Sequence, residues 1–284
     1  SGQELVDLPG QRLKHEPGGE RPGGGGPLPG VVVGLVAGVC AVGIVRKRHA
    51  QFDEPEEGAR RVLGLDEGDV ALHRASGKEI HGHSEGGVGQ LAGEPLRYIL
   101  EVELEHRGRR LIVLNNHWKS KAEGVEATAG ARRQAELVLV RRLAELLRAE
   151  PGAALLALGE FNENLEELES RGPLRAVGRP QEAGLAAEAI KLYDPWFELP
   201  ESGRGSAAHQ GRWQTPDHIL LAPGLFDTRG FSYRPGDFRV VRSPFLVQGP
   251  QGFPRRFLTG RSSAGERGVS DHLPLRLELR LSPP

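Results

Sequence analysis

The sequence has no methionine and a single cysteine, Cys40. One thiol excludes an internal disulfide and any zinc module built on several cysteines. Cys40 lies in an apolar run and reads as an inert buried thiol. With no initiator methionine, the chain is expected to be processed, trimmed or a fragment. Neither sign of charge is in excess: 37 Lys and Arg face 38 Asp and Glu, for a net charge of -1. That excludes a coat of basic charge for nucleic acid, though not a local basic cleft. A long hydrophobic run is also missing. The longest uncharged apolar stretch, Gly30 to Val45, carries four Gly and precedes Arg46-Lys47-Arg48. It falls short of the roughly 20 residues a spanning helix needs. Its valines favour strands, so two buried strands are expected, at 31–36 and 39–46, with a membrane anchor as the alternative.

Glycine and proline are abundant, at 40 and 21 residues, about a fifth of the chain against roughly 12% in average usage. Much loop is therefore expected. Hydrophobic residues make up 38% and mean hydropathy is -0.40, which suits a soluble globular protein with a sizeable core. The length of 284 residues fits one large domain or two small ones. Residues 1–30, with nine Gly and five Pro, read as a partly disordered lead-in. Residues 31–284 read as a single domain. Within it, residues 50–94 are polar, Gly-rich and without a clear period, and are expected to be mostly loop. Residues 97–105 alternate and 109–116 form a second strand, joined as a hairpin through His106, Arg107 and Gly108. Residues 129–149 form the clear helix, with Ala135, Leu139, Leu143, Leu146 and Leu147 at helical spacing and Pro151-Gly152 as its stop. Residues 153–158 and 217–222 are apolar runs that read as buried strands. Leu275, Leu277, Leu279 and Leu281 alternate with charge in a half-exposed final strand. The class is mixed α/β, with no internal repeat.

Four polar clusters sit where strands meet loops: Asn115-Asn116-His117-Trp118-Lys119-Ser120-Lys121, Gly159-Glu160-Phe161-Asn162-Glu163-Asn164, Trp213-Gln214-Thr215-Pro216-Asp217-His218, and Ser270-Asp271-His272-Leu273-Pro274. Singly, each has an ordinary reading as turn or strand-start chemistry. As a set they supply carboxylates for a hard cation, imidazoles to move a proton or carry charge, and amides and a lysine for phosphate oxygens. Metal-assisted attack of water on a phosphate uses that inventory.

In that order and at that spacing, the motifs Asn-His-Trp-Lys-Ser-Lys, Gly-Glu-Phe-Asn-Glu-Asn, Gly-Arg-Trp-x-Thr-x-Asp-His and Ser-Asp-His-Leu-Pro-Leu resemble the bacterial branch of the endonuclease/exonuclease/phosphatase superfamily, with its deoxyribonuclease-I-like fold. The resemblance spans about residues 95–281. It implies a four-layer α/β sandwich, two packed and mostly antiparallel sheets flanked by helices, and Mg²⁺-dependent hydrolysis of phosphate esters, with Mn²⁺ an alternative ion. It implies roles residue by residue. His117 contacts the scissile phosphate or assists the leaving group, and Asn162 holds phosphate or the attacking water. Asp217 orients His272, which serves as general base or stabilises the transition state. Asp271 is the metal-side aspartate, and Glu160 takes a catalytic and metal-holding place. Asn115 and Lys119 are candidate substrate contacts.

The sequence also departs from the family. Glu160 stands where Asp is usual, which moves the carboxylate by about one carbon–carbon bond, roughly 1.5 Å. No glutamate matches the family's principal metal ligand. In one register Gly34-Leu35-Val36-Ala37 aligns with that motif and places Ala there. In the other, residues 3–20 follow the missing motif, residues 39–48 form the next strand, and the chain starts downstream of the first two family strands. Lesser signals have plainer readings. His81 and His83 read as solvent-exposed, and Arg255-Arg256 with Arg261 and Arg267 as surface charge, with a phosphate groove the alternative. The leading expectation is a phosphodiesterase acting on nucleic acid or another phosphate ester. The competing ones are a degenerate member that binds without cleaving and a membrane-attached protein. Compartment, protein partners and oligomeric state leave no signal in the sequence.

Overall fold

The computed structural model describes the strands at residues 30–36, 39–45 and 74–80, together with residues 97, 99–256, 268 and 270–282. The lead-in up to residue 29, the His81/His83 pair, Arg46–Arg48, Arg261 and Arg267 lie outside the described residues. In chain order the strands are β1 (Gly30–Val36), β2 (Val39–Val45), β3 (Arg74–Ile80), β4 (Ile99–His106), β5 (Arg109–His117), β6 (Leu155–Glu160), β7 (Leu174–Val177), β8 (Gly184–Leu185) and β9 (Ile190–Tyr193). Then follow β10 (Ala207–His209), β11 (Arg212–Gln214), β12 (Asp217–Leu221), β13 (Phe231–Val240), β14 (Val247–Gln248), β15 (Phe253–Pro254) and β16 (Leu275–Leu281). Two α-helices occur among the described residues: α1 (Val125–Ala149) and α2 (Leu165–Ser170).

The larger sheet runs in the order β3-β4-β5-β6-β12-β9-β7, with β8 on β9. The smaller runs β13-β16-β1-β2. The expected hairpin is β4–β5. It pairs His106 with Arg109 and turns through Arg107 (φ 53°) and Gly108 (φ 69°), the two-residue turn whose twist matches that of its strands. β5 and β6 are parallel, so their connection must cross over, and α1 supplies the crossover. Its buried stripe includes Ala135, Leu139, Leu143 and Leu147. The helix begins four residues before the expected 129 because the stripe continues in polar side chains. Thr128 donates to the Gly124 carbonyl at 2.7 Å, and buried Arg132 bonds Thr128 and Glu163.

β6 and β12 are buried along most or all of their length. Leu155, Leu156, Leu158, Ile219, Leu220 and Leu221 are fully buried there, each worth about 1.5–3 kcal/mol. They belong to one hydrophobic core with Leu275, Leu277 and Leu279 of β16 and Phe231 of β13, so both sheets share it. The apolar run at 30–45 forms β1 and β2, antiparallel and in register from Gly30↔Val45, with β1 also on β16. No helix among the described residues is long and apolar enough to cross a membrane.

Two expectations need correction. Residues 74–80, assigned to loop, form β3 at the edge of the larger sheet, held by backbone pairing with β4 and not by an apolar period. β6 begins and ends two residues later than 153–158. Glu160 therefore closes the strand and does not belong to the loop after it.

Candidate active site

Strand register assembles the site. His117 pairs with Glu160 across the parallel β5–β6 ladder, and Glu160 pairs with Asp217 across the antiparallel β6–β12 ladder. Register partners project from the same face of a sheet. Three strand ends thus set an imidazole and two carboxylates side by side. His117 Nε2 stands 3.5 Å from Glu160 Oε2. The fourth member, His272, comes from the chain before β16 and is fixed by a bridge to Ala207. Its Nδ1–H donates to Asp217 Oδ2 at 2.8 Å, leaving Nε2 for the cleft. Ser206 Oγ donates to the same carboxylate oxygen at 2.6 Å.

Exposure is graded across the group. The side chains of His117, Glu160, His272 and Asp217 are 42%, 15%, 14% and 2% exposed, so the cleft opens at His117 and closes on Asp217. The other Asp217 oxygen, Oδ1, is buried without a hydrogen-bond partner. A buried carboxylate oxygen left unpaired is costly, and a cation beside it removes that cost. One ligand atom each from Glu160, Asp217 and His272 lies within 4.8 Å of the others.

The loop after β6 adds Asn162, in a left-handed conformation at φ 55°. Its Nδ2 donates to the Trp118 carbonyl at 3.1 Å and to Glu160 Oε1 at 3.0 Å, holding that carboxylate in place. The backbone N–H groups of Phe161 and Asn162 both donate to the Pro216 carbonyl. Gly159 is at φ 137°, and a Cβ there would lie 1.9 Å from the Asn116 carbonyl oxygen. No other residue allows β5 and β6 so close at this point.

Electrostatics separates the two histidines. Burial works against charge on His272, but the hydrogen bond and charge of Asp217 override it. Glu160 and Asp271 add to this, and the imidazole is pushed up to about 9. His117 goes the other way. Its burial lowers it, Arg97 and His272 push it further down, and Glu160 and Asp217 only partly offset them. Around neutral pH the cleft therefore holds one imidazolium, at His272, beside a histidine biased toward its neutral form.

His117, Glu160, Asn162, Asp217 and His272 are thus brought together. Asp271 is exposed, stands outside the three-ligand group, and acts on His272 through its charge. Lys119 makes an ion pair with Glu123 at 2.8 Å. Asn115 is half-buried, with Oδ1 buried and unpartnered. Its neighbour Asn116 braces the strands: Nδ2 donates to the Leu114 and Leu158 carbonyls, and Oδ1 accepts from Trp118 Nε1.

Two residues that bear on the site received no role of their own in the sequence reading. Arg97 donates to the Trp118 carbonyl at 3.2 Å and bears on His117. Its place at the start of the alternating run 97–105 gave no signal of such a role. His218 is fully buried, with Nδ1 at 2.6 Å from Asp194 Oδ2 and Nε2 at 3.0 Å from the Glu163 carbonyl. Both ring nitrogens face acceptors. Although burial opposes it, the charge and hydrogen bond of Asp194 hold this imidazole above the ordinary histidine range. His218 thereby ties the Asn162 loop to the chain at Asp194. The doublet Asp217-His218 was visible in the sequence, but not that alternation sends its two members to opposite faces of β12.

Residues 92–281 match the Endonuclease/Exonuclease/phosphatase family. No curated protein sequence matches the chain. Among solved structures, truncated Caenorhabditis elegans TDP2 aligns at 14% identity and a TM-score of 0.43, over 72% of this chain and 65% of that one. The chain thus spans slightly less than two thirds of that structure's length. D. rerio TDP2 complexed with a single strand DNA product aligns at 15% identity and a TM-score of 0.45, over 78% and 79%. A mannosyl-6-phosphatase of Bacteroides thetaiotaomicron aligns at 16% identity and a TM-score of 0.42, over 77% and 74%.

Proposed function

The chain belongs to the endonuclease/exonuclease/phosphatase family, and from that premise we propose that it is a metal-dependent phosphodiesterase whose centre is His117, Glu160, Asn162, Asp217 and His272. The observation that carries the reading is that Glu160, Asp217 and His272 each bring a ligand atom within 4.8 Å of the others, with Asp217 Oδ1 itself buried and unpaired. In this reading the two sheets are the inner layers of the family's four-layer sandwich, and residues 31–284 are one domain.

Glu160 and Asp217 Oδ1 fit a hard divalent cation, Mg²⁺ or Mn²⁺, because both offer carboxylate oxygens at the mouth and floor of one cleft. Such an ion would supply charge to the phosphate oxygens. The remaining chemistry belongs to the chain. His272, held as an imidazolium by Asp217, presents Nε2–H to a phosphate oxygen and stabilises the negative charge that grows there as water attacks. Asn162 gives both Nδ2 hydrogens to the Trp118 carbonyl and Glu160, so it steadies Glu160 and leaves Oδ1 to accept a hydrogen bond from the attacking water. His117, more exposed and biased toward neutrality, meets the scissile phosphate or leaving group at the open side. Water adds to phosphorus and gives up a proton to solvent, the P–O ester bond breaks, and the departing oxygen takes one proton from solvent at the open, His117 side.

The test is hydrolysis of bis-p-nitrophenyl phosphate and of plasmid DNA with Mg²⁺, with Mn²⁺ and with EDTA, beside a His272→Ala control. Cleavage that needs metal and is lost in the control supports the reading. A second reading, binding without cleavage, draws on one observation: only two carboxylates, Glu160 and Asp217, enter the ligand group among the described residues. Absence of turnover with every metal selects it.

A further inference from the structure

Beside His272 lies a surface that the catalytic chemistry does not use. The β10–β11 hairpin is tied to the centre twice: Ala207 bridges His272, and Ser206 donates to Asp217. Its tip turns through Gln210 (φ 47°) and Gly211 (φ 74°) and leaves Arg212 exposed. Trp213 follows, with the Arg242 guanidinium 4.4 Å from its ring centroid and Phe253 at 5.0 Å. Gly205 leaves room for that ring, since a Cβ there would lie 2.6 Å from Trp213 Cε3. Arg256 donates to the Ala208 carbonyl and links the chain after β15 to the first hairpin.

The charge of this wall is one-sided. Residues 204–216 and 238–256 contain six arginines and no Asp or Glu, in a chain whose net charge is -1. Arg204 is engaged by the Trp196 and Leu199 carbonyls, and Arg239 faces Glu278. Among the described residues no carboxylate pairs with Arg212, Arg242 or Arg256. Guanidinium forks suit phosphate oxygens. Near Arg242, Phe245 is 42% exposed and offers a flat ring. Both hairpin tips are polar, at Gln210-Gly211 and at Gly249 to Gly252, whereas a surface that enters a bilayer carries apolar groups at its leading edge. Guanidinium groups interleaved with aromatic rings on a polar wall match a strand of phosphates and bases.

We propose that the β10–β11 and β14–β15 hairpins form a binding wall for a single strand of nucleic acid and lead it to His272. That direction of travel rests on the phosphodiesterase reading, whereas the binding does not. The three arginines without a carboxylate partner among the described residues, Arg212, Arg242 and Arg256, set a short footprint of about three phosphates. At about 0.7 per phosphate, three contacts give a slope of log K against log salt of about -2.

The experiment is fluorescence anisotropy of a fluorescein-labelled, mixed-sequence deoxyoligonucleotide of about 20 nucleotides with the full chain. EDTA is present to prevent metal-dependent cleavage, and salt runs from about 50 to 200 mM, the range over which phosphate contacts are felt. The expected result is binding with that slope. Arg212→Gln/Arg256→Gln should weaken it about tenfold or more and flatten the slope to about -0.7. Arg212→Gln alone, on an exposed turn, should show the same trend and guards against misfolding of the double variant. No binding at the lowest salt overturns the proposal, as does a double variant that binds like the parent. Binding only to phosphatidylserine vesicles overturns it too and marks a membrane surface. Hydrolysis of bis-p-nitrophenyl phosphate by the unmodified chain separates the two readings. Turnover without strand binding removes the wall and leaves the catalytic reading, and strand binding without turnover does the reverse.

Discussion

Replacing Asp217 with asparagine removes one negative charge from the floor of the cleft and nearly nothing else. Asp217 is 2% exposed and accepts hydrogen bonds from His272 Nδ1 and Ser206 Oγ. It is the main reason that the His272 imidazole is pushed up to about 9 against its own burial. The rise from an ordinary histidine value of about 6.5 corresponds to about 3 kcal/mol favouring the charged ring. In Asp217→Asn the burial cost remains, and only the more distant Glu160 and Asp271 still favour charge. His272 is expected to return to the ordinary range or below it. The sign for stability follows. A group raised on folding stabilises fully below about pH 6.5, and that share is lost as pH climbs through about 9. The stability gap between parent and variant should therefore narrow across that interval. The assay is a histidine-labelled NMR titration in EDTA, following His272 from pH 5 to 10, with chemical denaturation at the same pH values. A His272 that still titrates near 9 in the variant would refute the electrostatic account of the site.

The pH profile of hydrolysis should fall above about pH 9, where His272 loses its proton; initial rates measured from pH 7 to 10.5 read this directly. Glu160→Asp restores the residue usual in the family but withdraws the carboxylate from Asn162 and His117, so kcat should drop about a hundredfold with the fold unchanged by circular dichroism. Gly159→Ala forces a Cβ onto the Asn116 carbonyl at φ 137°. It should destabilise by more than about 4 kcal/mol, seen as a large loss in urea midpoint. Arg132→Ala empties a buried site under α1 and takes one of two cations from Glu163, which keeps Lys121 at 3.0 Å; it should cost about 1–3 kcal/mol by the same measurement.

What was legible in the sequence was local. The β4–β5 hairpin, the apolar stripe of α1 and the runs that became β6, β12 and β16 follow from alternation, helical spacing and turn residues. Each depends on neighbours a few positions away. The edge strand β3 had no such pattern, because its place is set by backbone pairing with β4. Helix α2 is too short to establish a period. The four polar clusters could be recognised as a set, but not the register that seats His117, Glu160 and Asp217 on adjacent strands. That register depends on a parallel crossover through α1 and on β12 inserting beside β6. The same limit separates Asn115 from Asn116. One position decides which side chain braces the strands, and the pleat fixes it only after pairing. Arg97 and His218 act across elements distant in sequence, so neither announces itself in a linear reading.

The central claim is that one cleft at the ends of β5, β6 and β12 hydrolyses phosphodiesters as a unit. Its most direct test is the metal-dependent turnover of bis-p-nitrophenyl phosphate by His272→Ala, Glu160→Gln, Asp217→Asn and the triple variant. Residues that act as a unit lose nearly all of their effect at the first substitution. Each single variant should therefore lose about a hundredfold or more in kcat, and the triple variant little beyond that. Single variants that turn over at the parental rate, with metal still required, would place the chemistry elsewhere on the molecule and contradict the account.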